Sequence, residues 1–286
     1  MATHPPPPEQ LSELVEAYAQ TAQAVLDLAA TCSEEDFAQP SSCPGWTVKD
    51  HVSHVSGLES ALDGQVDPDV EVPDYPWLRH DMGRHMEQAV EVRRLWSGEE
   101  VVAELKRVIP RRLEFLHSSG LSLDSVIPGP FAPMPASVML PIRIIDIWCH
   151  EQDLRQALDR PGNLDSPGAA LFVTRVMAAL PGRAVDEAGV PVGAAVILES
   201  TGPVTAREGI RVVENEDGTP AAEPLFAGGS GDGVSHVGEQ VTTIRMSTEA
   251  LTRRGAGRIA TDDLHYTAEG DEQLAHRLLD ALAITP

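Results

Sequence analysis

The stretch Ile142–Leu158, IRIIDIWCHEQDLRQAL, constrains the fold more than any other part of the chain. Its pattern suits a helix, and Ile144, Ile145, Ile147, Trp148 and Leu154 leave little of that helix for water. Asp146 and His150 are four residues apart, so they project from one face about a turn from each other. A carboxylate in such a setting is costly unless it is paired or bound to a cation. The two side chains can share one divalent metal, or they can simply form an intrahelical hydrogen bond. Two ligands are not a site, so a third has to come from another segment.

Other helices follow from spacing. Residues 10–30 carry Leu11, Leu14, Val15, Tyr18, Ala22, Val25 and Leu26 at helical intervals. Pro44-Gly45 marks a turn, and Thr47, with Asp50 three residues on, reads as the cap of a helix reaching about Leu62. A third helix starts near Leu78 or Asp81 and runs to about His117, with a break at Ser97-Gly98. Residues 142–158 make the fourth, stopped by Arg160-Pro161-Gly162, and 167–180 fit one more. Residues 1–183 therefore read as a helical bundle of four long helices plus one. After Gly182 the pattern changes to strands at 194–198, 204–213, 241–245 and 265–268, with helices at 248–254 and 272–282. Residues 184–286 form a small α+β domain on this reading. The Gly-rich run at 228–233 lacks the Lys-Ser/Thr of a phosphate-binding loop and reads as a plain loop.

Bulk properties exclude some functions. A formal charge of −23 disfavours nucleic acid and anionic membranes as partners. Three cysteines without a CxxC pair indicate neither a disulfide framework nor a thiolate zinc knuckle. The start, MATHPPPPEQ, lacks a signal pattern, and no apolar run of ~18 residues stands out, so a cytoplasmic protein is expected.

For the third ligand, residues 48–62 offer His51 and His54. The apolar stripe Val48, Val52, Val55, Leu58, Leu62 is centred nearer His51, so periodicity alone favours His51 or leaves His54 at the stripe's edge. The run Gly45-Trp46-Thr47-Val48-Lys49-Asp50-His51-Val52-Ser53-His54-Val55 resembles the signature of the mycothiol-dependent maleylpyruvate isomerase family, in the DinB-like superfamily of metal-binding four-helix bundles. Asp146-Ile-Trp-Cys-His150-Glu-Gln-Asp153-Leu-Arg155-Gln-Ala-Leu resembles its second motif. Arg253-Arg254-Gly-Ala-Gly257-Arg258 and the ending Glu269-Gly-Asp-Glu-Gln-Leu-Ala-His-Arg-Leu-Leu resemble its smaller domain.

The resemblance implies an N-terminal DinB-like bundle and a sterol-carrier-protein-like C-terminal domain. It selects His54, eight residues after the tryptophan, as the third ligand beside Asp146 and His150. It implies a divalent metal, zinc by donor type, with mycothiol as the thiol cofactor and a small electrophilic, carboxylate-bearing substrate. Zinc favours thiolate over thiol and so would generate the nucleophile of an isomerase or S-transferase. Arg258, with Arg253 as the second candidate, corresponds to a functional arginine and would grip the substrate carboxylate. Both arginines also fit a solvated helix end. One departure stands out: the characterised isomerase has Glu where this chain has Asp146, which brings the metal nearer its helix or holds it through water. Asp50, Glu151 and Asp153 are each placed to accept a ligand's second N–H. His51, His80, His85 and His117 read as surface or capping residues, Trp46 and Trp148 as core, and Cys149 as an inert buried thiol. A non-catalytic metal-binding or regulatory protein, or an enzyme using water in place of thiol, are the alternative functions, and the chain is expected as monomer or homodimer.

Overall fold

The protein is described from a computed structural model over residues 2–118, 120–226 and 240–285; the Gly-rich run at 228–233 lies outside them. The chain divides into two compact units, residues 8–162 and residues 1–7 with 163–286. That division falls earlier than the boundary expected at 183/184, because the helix Pro167–Gly182 packs on the strand Thr205–Glu214 and on the helix Thr248–Gly255.

The first unit contains α1 (Leu11–Ala29), the short α2 (Glu34–Phe37), α3 (Val48–Leu62), α4 (Asp81–Arg93), α5 (Gly98–Leu116) and α6 (Ala136–Ala157). Two short strands, β2 (Val126–Ile127) and β3 (Met134–Pro135), pair just before α6. The break expected at Ser97-Gly98 separates α4 from α5: Ser97 caps α5, accepting from the Glu100 N–H while Glu100 accepts from the Ser97 N–H. Helix α3 packs against α4, α5 and α6, and α1 against α5 and α6. Tyr18, Val25, Val52, Val55, Leu105, Ile144, Ile147 and Trp148 form the core between them. Each such side chain, once buried, adds roughly 1.5–3 kcal/mol.

The second unit is a six-stranded sheet with helices. Its order is β1 (Ala2–His4), β5 (Thr205–Glu214), β4 (Ala195–Thr201), β7 (Val241–Met246), β8 (Thr267–Glu269), and β6 (Pro220–Pro224) also pairs with β5. Among the described residues, the β4–β7 pair is the parallel one and the other pairs are antiparallel. Helix α7 (Pro167–Gly182) lies on β5 and on α8 (Thr248–Gly255), and α9 (Glu272–Asp280) closes the unit. The strands at 2–4 and 220–224 were not expected from sequence: one is three residues long and the other starts and ends in proline. Contrary to the expectation of no long apolar run, Pro167–Glu187 is long and apolar enough to cross a membrane by length and composition; over half of it is buried within the fold.

Candidate metal centre

The segment ahead of α3 folds as its residues dictate. In Cys43-Pro44-Gly45-Trp46, the Trp46 N–H donates to the Cys43 carbonyl at 3.1 Å. Proline at the second position and Gly45 at φ +79° suit a type II turn. A Cβ on Gly45 would stand 2.4 Å from the Trp77 ring, so side-chain space as well as backbone requires glycine here. Thr47 then caps α3: it accepts from the Asp50 N–H, and Asp50 accepts from the Thr47 N–H at 2.8 Å. That engagement, with Arg94 at 3.5 Å, keeps Asp50 at the helix start and away from a role beside His54.

Almost every residue of α3 is buried, so both of its histidines point into protein. The His54 Nε2 lies 3.4 Å from Asp146 Oδ2, and His150 Nε2 lies 3.7 Å from Asp146 Oδ1. The His54 and His150 rings are 4.6 Å apart, and one donor atom from each of the three residues falls within 4.8 Å of the other two. Donors bound tetrahedrally to one zinc ion at ~2.0–2.1 Å stand about 3.3–3.4 Å apart. The trio is therefore close enough to share one cation. Neither ring nitrogen of His54 has a hydrogen-bond partner although both are buried, an arrangement that a cation at Nε2 would relieve.

Electrostatics favour the same use. Burial pushes His54 below its ordinary pKa, outweighing the pull of Asp146, so the imidazole keeps a free lone pair at neutral pH. Burial opposes the charge on Asp146, but Arg143 and then His54 hold its carboxyl well below the usual carboxylate range. The Arg143 guanidinium donates to Asp146 Oδ2 at 2.7 Å and, through Nε and Nη2, to Glu59 Oε1 at 3.0 and 2.8 Å. Glu59, fully buried on α3, also accepts from Tyr18 at 2.6 Å and Arg112 at 3.1 Å. A chain of charge-assisted bonds thus fixes the Asp146 carboxylate from behind. Asp146 keeps 31 % of its side chain exposed against 3 % for His54, so the group opens to solvent on the carboxylate side.

The other nitrogen of His150 is engaged too. Its Nδ1 lies 3.0 Å from His51 Nδ1 and 3.4 Å from Asp153 Oδ2, while His51 Nε2 meets Ser41 Oγ at 2.7 Å. His51, which periodicity favours as inward but which the resemblance, by selecting His54, leaves to a surface or capping place, is fully buried, because α3 has helices on several sides. Asp153 is the one of the three acids considered that reaches a ligand candidate; Glu151 pairs with Arg155 at 2.7 Å. Trp46, expected in the core, is half-buried: its ring stands 5.2 Å from His51, 5.2 Å from His54 and 5.6 Å from His150. Its Nε1–H donates to buried Glu87 at 2.9 Å. Trp148 is core, as expected, and Cys149 is buried. His80 caps α4, and His85 and His117 are exposed. Arg253 lies in the last turn of α8, and Arg258 follows it, donating to the Ala256 carbonyl at 2.9 Å; both are half-buried in the second unit. The parts played by Arg143 and Glu59 were missed from sequence, and nothing local marks Glu59, whose contact with Arg143 spans 84 residues. An arginine three residues before a buried aspartate is the clue that was available.

Residues 4–155 match the family described as the mycothiol maleylpyruvate isomerase N-terminal domain. Among solved structures, the mycothiol-dependent maleylpyruvate isomerase is similar at 17% identity and a TM-score of 0.52. A histidine-to-alanine variant of that isomerase is similar at 15% identity and a TM-score of 0.54. Each similarity covers 90% of this chain and 92% of the other. At these identities the likeness establishes a shared mixed helical and sheet fold. No curated protein sequence matches significantly.

Proposed function

The chain belongs to the mycothiol maleylpyruvate isomerase N-terminal domain family, and from that membership we propose that it is a metal-dependent, mycothiol-dependent isomerase or S-transferase. Its substrate is a small electrophile bearing a carboxylate. The observation that carries this reading is the convergence of His54, Asp146 and His150, with both His54 nitrogens buried and neither in a hydrogen bond. These three residues would hold the cation, with zinc matching their donor types. When bound, cation and mycothiol together supply a thiolate nucleophile at neutral pH for addition to an electrophilic carbon.

The chain's own residues do the rest. Arg143 and Glu59 orient the Asp146 carboxylate, and His51 and Asp153 orient the His150 ring through Nδ1. Trp46 walls the histidines and keeps water from that side, leaving the approach past Asp146 for thiol and substrate. Arg258, with Arg253 as second candidate, is assigned to the substrate carboxylate, which its planar fork suits. Asp146, a methylene shorter than a glutamate, would hold the cation directly or through a water. In the same reading the first unit is a DinB-like bundle, the second a sterol-carrier-protein-like domain, and the protein works in the cytoplasm.

The test is turnover of maleylpyruvate and related electrophiles by zinc-loaded protein with and without mycothiol. Thiol-dependent turnover that disappears in His54→Ala is the expected result. Thermal stabilisation by mycothiol without turnover would assign a binding role instead, and turnover without thiol would assign the nucleophile to water.

A further inference from the structure

A second group of donors adjoins the first through the opposite nitrogen of His150. Cys43 Sγ lies 4.0 Å from Asp153 Oδ2, His51 Nδ1 lies 3.7 Å from the same oxygen, and one donor atom from each of the three lies within 4.8 Å of the other two. His150 Nδ1 completes the set, 3.0 Å from His51 Nδ1 and 3.4 Å from Asp153 Oδ2. Around a tetrahedral zinc, nitrogen and oxygen donors stand about 3.3 Å apart and a sulfur and an oxygen about 3.5 Å. The separations among His51, Asp153 and His150, and that between Cys43 and Asp153, fall within roughly half an ångström of those values.

We propose that Cys43, His51, Asp153 and Nδ1 of His150 form a second site for a thiophilic divalent cation of the zinc class, sharing the His150 imidazole with the first. The shared imidazole rests on the function proposed above; the second site itself does not. One sulfur, two nitrogens and one oxygen suit zinc and not magnesium or calcium. His51, Asp153 and His150 are all buried, so the site is walled by protein. The remaining nitrogen of His51 already has the partner a ligating histidine needs, Ser41 Oγ at 2.7 Å, and Ser41 Oγ in turn lies 3.1 Å from the Trp46 carbonyl. With the first cation alone, His150 Nδ1–H donates to His51. A second cation replaces that hydrogen bond and releases two protons, one from the Cys43 thiol and one from the imidazole. The two carboxylates, the thiolate and the shared imidazolate then carry four negative charges against the four positive charges of two cations, so the filled cluster is neutral.

Cobalt(II) loading of the full chain tests this, because only the second site contains sulfur. A near-ultraviolet sulfur-to-cobalt charge-transfer band with two equivalents bound is expected. Cys43→Ser should abolish the band and leave one equivalent, and Cys32→Ser should change neither. His54→Ala should keep the band while losing the other equivalent; if it loses none, the first site fails and the second stands. Bound cobalt without the band, or a band that survives Cys43→Ser, overturns the second site. In unmodified protein, zinc should slow alkylation of Cys43 at least tenfold by peptide mass mapping, and an unchanged rate would count as refutation.

Discussion

Replacing Arg143 by methionine removes the side chain that joins the buried Glu59 to Asp146. Arg143 is 2 % exposed and Glu59 0 %, so solvent screens their interaction little. Three charge-assisted bonds disappear, two to Glu59 and one to Asp146. Glu59 keeps Tyr18 and Arg112, so its charge is weakened in support and not abandoned. Breaking one partner from a buried pair costs about 3–5 kcal/mol, and the remaining donors place this case near the lower figure. For a chain of this size each kcal/mol shifts Tm by roughly 2–4 °C, so a fall of about 10 °C is expected. Tryptophan fluorescence during urea unfolding is the assay, since Trp46, Trp77, Trp96 and Trp148 all lie in the helical unit. Glu59→Gln and the double variant complete a cycle, in which a coupling of at least about 1.5 kcal/mol is expected. A loss within the ±0.5 kcal/mol typical of surface sites, or strictly additive losses, would refute the argument that this network fixes Asp146.

Gly45→Ala should cost at least ~1–2 kcal/mol, because a left-handed φ and the Trp77 ring both reject a Cβ; urea unfolding that matches the unmodified protein would show the turn to be otherwise. Tyr18→Phe should cost about 1.5–3 kcal/mol by removing a donor to the charged Glu59, read by the same unfolding assay. His54 is held below its ordinary pKa, so as pH falls through ~6.5 the unfolded chain takes up the proton first and metal-free protein loses stability, at up to about 1.4 kcal/mol per pH unit. The depressed Asp146 adds a loss that begins below pH ~4; His54→Gln should flatten the upper limb of the stability–pH curve and, by removing one of the groups that depress Asp146, reduce the lower one. Chelator treatment should lower the Tm of metal-loaded protein, and by less in metal-loaded His54→Ala, which keeps one of the two cations.

Much of this protein is written in local pattern. The cap at Thr47, the break at Ser97 and the helix at 167–182 lie where short-range chemistry puts them, since a capping box or a periodic face is complete within a few residues. The i, i+4 pairing of Asp146 and His150 is likewise a property of one helix. On α3 periodicity rightly favours His51 as inward but leaves His54 at the stripe's edge: a stripe distinguishes inside from outside only when one side meets water, and this helix packs against α4, α5 and α6. His51 and His54 are therefore both interior, and only the fold decides that one nears Asp146 while the other nears the far nitrogen of His150. The Arg143–Glu59 link spans 84 residues, and the Cys43–Asp153 approach spans 110, distances along the chain at which no spacing rule operates. The sequence by itself determined the helices that carry His54, Asp146 and His150 and the caps and turns that begin and end them. The tertiary structure decided which of them meet, because contacts between distant segments depend on how whole helices pack and not on any residue's neighbours in the chain.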